Sequence, residues 1–349
     1  MTKQAMTNSS ISSQRQFPFR VITGRTVKRL IHGDFEGCME VVRNCYAAHG
    51  KGDSVNPPSF FLRFPDRPNA RIIGLPTHLA APWDLSGIKW IASYPDNVQK
   101  GYPRASAVLV LNSHENGYPF ACMEASIISA SRTAASAALA AHHLNGGQRS
   151  TRALGIVGTG FIARYIYDFL IGTGWEIETV GLYDLVPGEA ERFKKEVCDS
   201  KRHGEVRVAT DVASLLKTSE VIVFATTSPK PYVHDPEYFA HNPLILHISL
   251  RDIAPELLLN AYNIVDDIDH VMHADTSPHL AEKLTGGRSF ITGTLADVLA
   301  GHCSVDHSRP IIFSPFGLGV LDLAVGKWIY DRADGECLLI DDFFYDLDR

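Results

Sequence analysis

The chain has 349 residues, 45% apolar and 21% charged, with a formal charge of −6. That length suits two domains with sizeable cores, and the acidic balance argues against a nucleic-acid partner, which needs a basic face. No run approaches the 18 or so apolar residues of a membrane-spanning helix. Residues 1–16 are polar and Ser-rich, without a signal-type apolar stretch. They are expected to form a disordered leader, with Met6 as an alternative start. The six cysteines show no C-x-x-C pair and no metal-type spacing, so free thiols in a reducing cytoplasm and no metal centre are expected.

Residues 34–49 have helical periodicity, with Phe35, Met39, Val42 and Tyr46 on one face. Strand-like segments follow at 59–64, 71–75, 87–93 and 105–112, and 112–117 reads as a turn between strands. A long helix rich in small residues is expected over 122–143, and Asn145-Gly146-Gly147-Gln148 is a linker. From 154 to about 290, short apolar runs at 154–157, 179–183, 206–209, 221–225, 244–248 and 263–265 alternate with helical spacing at 187–199, 211–217 and 236–240. Such alternation predicts an α/β, doubly wound parallel sheet of Rossmann type. The tail, 311–349, leaves this pattern through a Pro/Gly-rich turn into a helix near Val320, and is expected to cross back to the first domain. The domains expected are therefore 17–145 with 311–349, an α+β substrate-binding and dimerisation unit, and 146–310, the dinucleotide-binding unit.

The run Gly158-Thr159-Gly160-Phe161-Ile162-Ala163 is G-x-G-x-x-A, with a strand before it and helical spacing over 164–171. Gly158 permits a tight turn, Gly160 a close approach of backbone to pyrophosphate, and Ala163 close helix packing. The helix N–H groups face the anion. Asp184 closes the next strand, where it would bind ribose hydroxyls. Leu185-Val186-Pro187 follows it, with no base to neutralise a 2′-phosphate, which favours NAD over NADP. Thr226-Thr227-Ser228 and Ser249 lie where later strands end, and there they would hydrogen-bond the cofactor.

Outside this turn, Arg63, Lys89, Arg104, Arg132, Arg251 and Asp252 are the residues suited to binding a carboxylate or moving a proton. Lys89 lies in an apolar strand, sharing a face with Gly87 and Ile91; the alternative is a solvated edge lysine. Asp252 follows a strand through Ser249-Leu250-Arg251, placed to relay a proton or, alternatively, to cap the helix begun by Pro255.

Lys89 in its strand, Ser131-Arg132-Thr133-Ala134-Ala135, the G-x-G-x-x-A turn and Gly317…Asp322 together resemble the ornithine cyclodeaminase/μ-crystallin superfamily over about residues 20–335. Asn56-Pro57-Pro58, Gly87-Ile88-Lys89-Trp90 and His247-Ile248-Ser249-Leu250-Arg251-Asp252 look most like its 2,3-diaminopropionate biosynthesis dehydrogenases, of the staphyloferrin B type of siderophore pathway. The resemblance implies NAD-dependent oxidation of N-(2-amino-2-carboxyethyl)-L-glutamate, with release of 2-oxoglutarate and L-2,3-diaminopropionate. It implies carboxylate binding by Lys89, Arg132 and Arg63, proton transfer by Asp252, a homodimer, and a PLP-dependent synthase as pathway partner. Arg251 adds a charge suited to a tricarboxylate. Phe161-Ile162 within the turn, and Ser249-Leu250-Arg251 in place of a glycine-rich sequence, argue against cyclisation of ornithine. An ornithine cyclodeaminase, amino-acid dehydrogenase or ketimine reductase of the same superfamily stays open, as does a non-enzymatic dinucleotide binder of μ-crystallin type.

Overall fold

The computed structural model describes residues 17–344; the leader expected over 1–16 lies outside them. The first part of the chain forms β1 (Phe19–Ile22), α1 (Gly24–Gly33), α2 (Phe35–Gly50), β2 (Ser54–Val55), β3 (Phe60–Phe64), β4 (Arg67–Leu79), β5 (Leu85–Ser93), β6 (Ala105–Ser113), β7 (Pro119–Glu124) and α3 (Ser126–Leu144). From β3 to β7 each strand pairs antiparallel with the next. The period of two is plain in β5, where Lys89 is buried and Trp90, one residue on, is 44% exposed.

The second part runs β8 (Ser150–Val157), α4 (Phe161–Gly172), β9 (Glu176–Tyr183), α5 (Glu189–Glu196), β10 (Glu205–Val208), α6 (Val212–Thr218), β11 (Val221–Phe224), β12 (Leu244–His247), α7 (Pro255–Leu258), β13 (Tyr262–Val265), α8 (Ile268–Val271), α9 (Ser277–Thr285), β14 (Ile291–Thr294), α10 (Leu295–Leu299) and β15 (Ile311–Ser314). These strands form one parallel sheet in the order β10-β9-β8-β11-β12-β15-β13-β14. Strands such as Val221-Ile222-Val223-Phe224 are buried throughout, as a sheet covered on both faces requires. The chain moves outward from β8 through β9 to β10, then returns to β11 on the other side of β8. The switch point is therefore the carboxyl ends of β8 and β11, where Gly158 and Thr226 stand. The tail adds α11 (Gly319–Tyr330) and β16 (Leu338–Ile340), which extends the mixed sheet β16-β1-β7-β6-β5-β4-β2.

Two expectations need correction. The helix expected from residue 122 begins only at Ser126, because 119–124 alternates and pairs with β6 as β7. The Glu124 carboxylate then accepts the N–H groups of Ser126 (2.7 Å) and Ile127 (3.1 Å), fixing the start of α3. The tail does not leave the parallel sheet at Ile311 either. Residues 311–314 are wholly buried and form β15 between β12 and β13, so the crossing back begins at Gly319.

Candidate functional site

Lys89 reaches inward from β5 and is 2% exposed. Its Nζ lies 2.6 Å from Asp322 Oδ2 and 3.1 Å from Ser129 Oγ. Arg132, one turn beyond Ser129 on the same face of α3, places Nε 3.4 Å from Asp322 Oδ1. Asp322 is fully buried and arrives on α11, which packs against β4, β5 and β6. That approach needs Gly326, where a Cβ would lie 2.2 Å from Leu109 Cδ2. Two cations thus share one carboxylate, leaving a surplus positive charge for an anionic ligand. Burial pushes the Lys89 ammonium down to about 8, with Asp322 opposing and Arg132 reinforcing the shift.

Asp252 is fully buried beyond the end of β12. The hydroxyls of Thr226 and Ser249 both donate to its carboxylate, and His247 Nε2 lies 3.3 Å from Oδ2. Burial drives the carboxyl group up, but the bonds from His247, Ser249 and Thr226 outweigh it and hold the group below its ordinary value. Asp252 is therefore a carboxylate at neutral pH. It does not cap α7, whose cap position is Ala254. A cavity of about 230 Å³ lies between α3 and the parallel sheet. Ser129, Arg132 and Thr133 of α3 line one wall; Ile162 at the start of α4, and Ile248 and Phe316 from the loops after β12 and β15, line the other.

Gly158 has φ +85°, and a Cβ there would sit 2.7 Å from the Ala225 carbonyl oxygen. Open space surrounds Gly160, and no side chain caps the start of α4, so its first N–H groups are left for an anion. Asp184 Oδ2 accepts the Thr159 N–H (2.8 Å) and hydroxyl (2.9 Å), tying the turn to the end of β9. The segment at Phe316-Gly317 is fixed by buried Asp266, which accepts both N–H groups, at 2.9 and 2.6 Å. Gly317 has φ +100°, and Arg132 Nη1 lies 2.7 Å from where its Cβ would be.

Not every expected residue joins this centre. Arg63 is exposed and stacks 5.2 Å over the Phe61 ring. Arg251 donates from Nε and Nη2 to the Ala274 carbonyl, at 3.0 and 2.7 Å. The hydroxyls of Thr226 and Ser249 turn to Asp252, while the Ser228 hydroxyl donates to the Lys230 carbonyl at 2.6 Å; Thr227 and Phe161 are exposed. Asp322, His247 and Asp266 were not singled out as site residues from the sequence. A carboxylate within the apolar run Gly319-Val320-Leu321-Asp322-Leu323-Ala324 was the available signal for Asp322. A larger hollow of about 910 Å³ lies by Ser150 and Glu176, where β8 and β9 begin. It is at the wrong edge of the parallel sheet for a cofactor. Among the described residues, no group of three or more His, Cys, Asp and Glu is placed to hold a metal ion.

Known proteins resemble this chain over most of its length. The ornithine cyclodeaminase/mu-crystallin family model matches residues 25–336. N-((2S)-2-amino-2-carboxyethyl)-L-glutamate dehydrogenase of Staphylococcus aureus is 29% identical over 311 residues, 84% of this chain and 89% of that protein. Alanine dehydrogenase of Archaeoglobus fulgidus is 28% identical over 320 residues, covering 90% and 94%. A solved archaeal alanine dehydrogenase dimer with bound NAD superposes with a TM-score of 0.82 at 26% identity, covering 94% of this chain and all of that one. The chain belongs to the ornithine cyclodeaminase/mu-crystallin family.

Proposed function

We propose that this protein is an NAD-dependent oxidoreductase that oxidises the CH–NH bond of N-(2-amino-2-carboxyethyl)-L-glutamate. The observation that carries the reading is a cavity lined by Arg132, which shares Asp322 with Lys89, and by Ile248, in the loop that leads from β12 to Asp252. Similarity to the S. aureus dehydrogenase supports the substrate, and the NAD bound in the archaeal relative supports the cofactor. The residues fit that cofactor. Gly158, Thr159 and Gly160 with the uncapped start of α4 would take the pyrophosphate. Phe161, Ile162, Thr226, Thr227, Ser228 and Ser249 would flank it, and Asp184 would take the ribose.

NAD, when bound, accepts a hydride from the glutamate α-carbon. Lys89 and Arg132 hold the α-carboxylate and so fix which hydrogen points at the cofactor. Asp252 takes the proton lost from the nitrogen and releases it to solvent, then takes one from the water that attacks the imine carbon and returns it to the departing amine nitrogen. The carbinolamine then expels the amine, so that substrate, NAD and water give 2-oxoglutarate, L-2,3-diaminopropionate, NADH and a proton. Incubation with NAD and this substrate is expected to yield NADH and 2-oxoglutarate in equal amounts. Turnover of alanine or ornithine with none of this substrate would overturn the reading.

A homodimer joined through the outer face of the mixed sheet fits the exposure of Phe60, Leu62, Trp90 and Val108 there. The six free thiols suit a reducing cytoplasm. A PLP-dependent synthase is the enzyme expected to supply the substrate.

A further inference from the structure

Arg63 and Arg71 are directly opposed on β3 and β4, and Arg71 is in turn opposed to Ser93 on β5. By the same register these residues share the inner face of the sheet with Lys89, since Leu75 pairs with Lys89 four residues along from Arg71. Four residues of strand place Arg71 about 13 Å from Lys89. Arg104 lies next to Ala105, which pairs with Ser93, and Arg251 approaches from the loop after β12. Like charges directly opposite each other destabilise a sheet. Burial and the charges of Arg104, Arg251 and Arg63 all push the Arg71 guanidinium down, and no carboxylate opposes them. Arg104 is exposed at the rim of this group, where partial burial lowers it.

Three further features show a site built around this charge. The Ser93 hydroxyl, in a residue more than nine-tenths buried, has no hydrogen-bond partner. It is the direct cross-strand neighbour of Arg71. Arg251 is held by the Ala274 carbonyl, and both Leu250 (φ 68°) and Ala274 (φ 57°) adopt the left-handed backbone that such residues avoid. Lys89 and Arg132 at the other end of the face have Asp322 as a bonded counterion, whereas Arg71 has none and the charges of Asp275 and Asp252 reach Arg251 without an ion pair.

We infer that Arg71, Arg104 and Arg251 form a second carboxylate subsite, assembled from both sheets, that receives the distal carboxylates of a di- or tricarboxylate amino acid. The inference rests on the proposed function and adds its specificity element. Lys89 and Arg132 take the α-carboxylate that any amino acid possesses, whereas the arginine cluster takes the charge that alanine and ornithine lack. Ser93 supplies a donor to the same anion.

The test is a titration of the protein–NADH complex with acetate, glutarate, tricarballylate and inorganic phosphate. Arg71→Met and Arg251→Met, which alter different parts of the fold, are compared with the parent, and retained NADH affinity serves as the folding control. Each variant is expected to lose roughly 10–100-fold in affinity for glutarate and tricarballylate, with acetate binding within about two-fold of the parent. Arg71→Lys should restore part of the loss. Equal losses for acetate and tricarballylate, no loss in either variant, or phosphate binding as tightly as tricarballylate would overturn the subsite. If the polycarboxylate preference holds but the aminocarboxyethyl-glutamate is not oxidised, the proposed reaction fails and the subsite stands. If it is oxidised with an unchanged KM in both variants, the subsite fails and the reaction stands.

Discussion

Asp322 on α11 and Asp252 beyond the end of β12 are both fully buried, yet their charges are met in different ways. Asp322 touches two cations, Lys89 and Arg132, and neutralises one of the two charges. Asp252 is held by two hydroxyls and a histidine ring, which satisfy its oxygens without supplying a permanent counter-charge. A carboxylate locked to cations positions them; one held by hydroxyls stays ionised without a bonded cation and is free to accept a proton. In the proposed reaction the pair would divide the work between binding and proton transfer.

Removing each charge in turn separates these roles. Asp252→Asn keeps the shape but removes the base, and kcat is expected to fall by about 10²–10⁴ with NAD affinity little changed. A similar kcat in this variant would show that the proton goes elsewhere. Asp322→Asn leaves Lys89 and Arg132 buried without their carboxylate, so thermal unfolding should register a loss of roughly 3–5 kcal/mol, whereas Asp252→Asn should lose less. Equal destabilisation would erase the distinction between them. Lys89→Ala and Arg132→Ala are expected to raise KM and lower kcat, costing about 1.5–3 kcal/mol in kcat/KM, while NAD binding survives.

The smallest and most specific effect is on pH dependence. Lys89 is pushed down to about 8, so the free enzyme loses this charge as pH rises past that value, and kcat/KM should decline there. Asp252 is held below its ordinary value, so it stays ionised through mildly acid pH and sets no limb near neutrality. The stability effect of Lys89 has the opposite sign. Its folded value is depressed below that of the unfolded chain, which binds more protons between about 8 and 10.5, so its contribution rises with pH across that window.

The residues that announce themselves locally were legible in the sequence. Gly158 and Gly160 carry a spacing, Lys89 interrupts an apolar strand, and Asp252 follows one. Asp322 was not singled out because its meaning lies 233 positions away, in Lys89. The same is true of Arg71 and Ser93, which become neighbours only once β4 and β5 are in register. β15 was missed for a related reason: Ile311-Ile312-Phe313-Ser314 reads as apolar wherever it goes, and only the gap between β12 and β13 decides its place.

The proposed reaction has the glutamate α-carbon, with its carboxylate held by Lys89 and Arg132, give its hydrogen to NAD. It is tested most directly with N-(2-amino-2-carboxyethyl)-L-glutamate deuterated at that carbon. Deuterium is expected in the NADH formed, together with unlabelled 2-oxoglutarate. Unlabelled NADH, or label retained in either product, would contradict it.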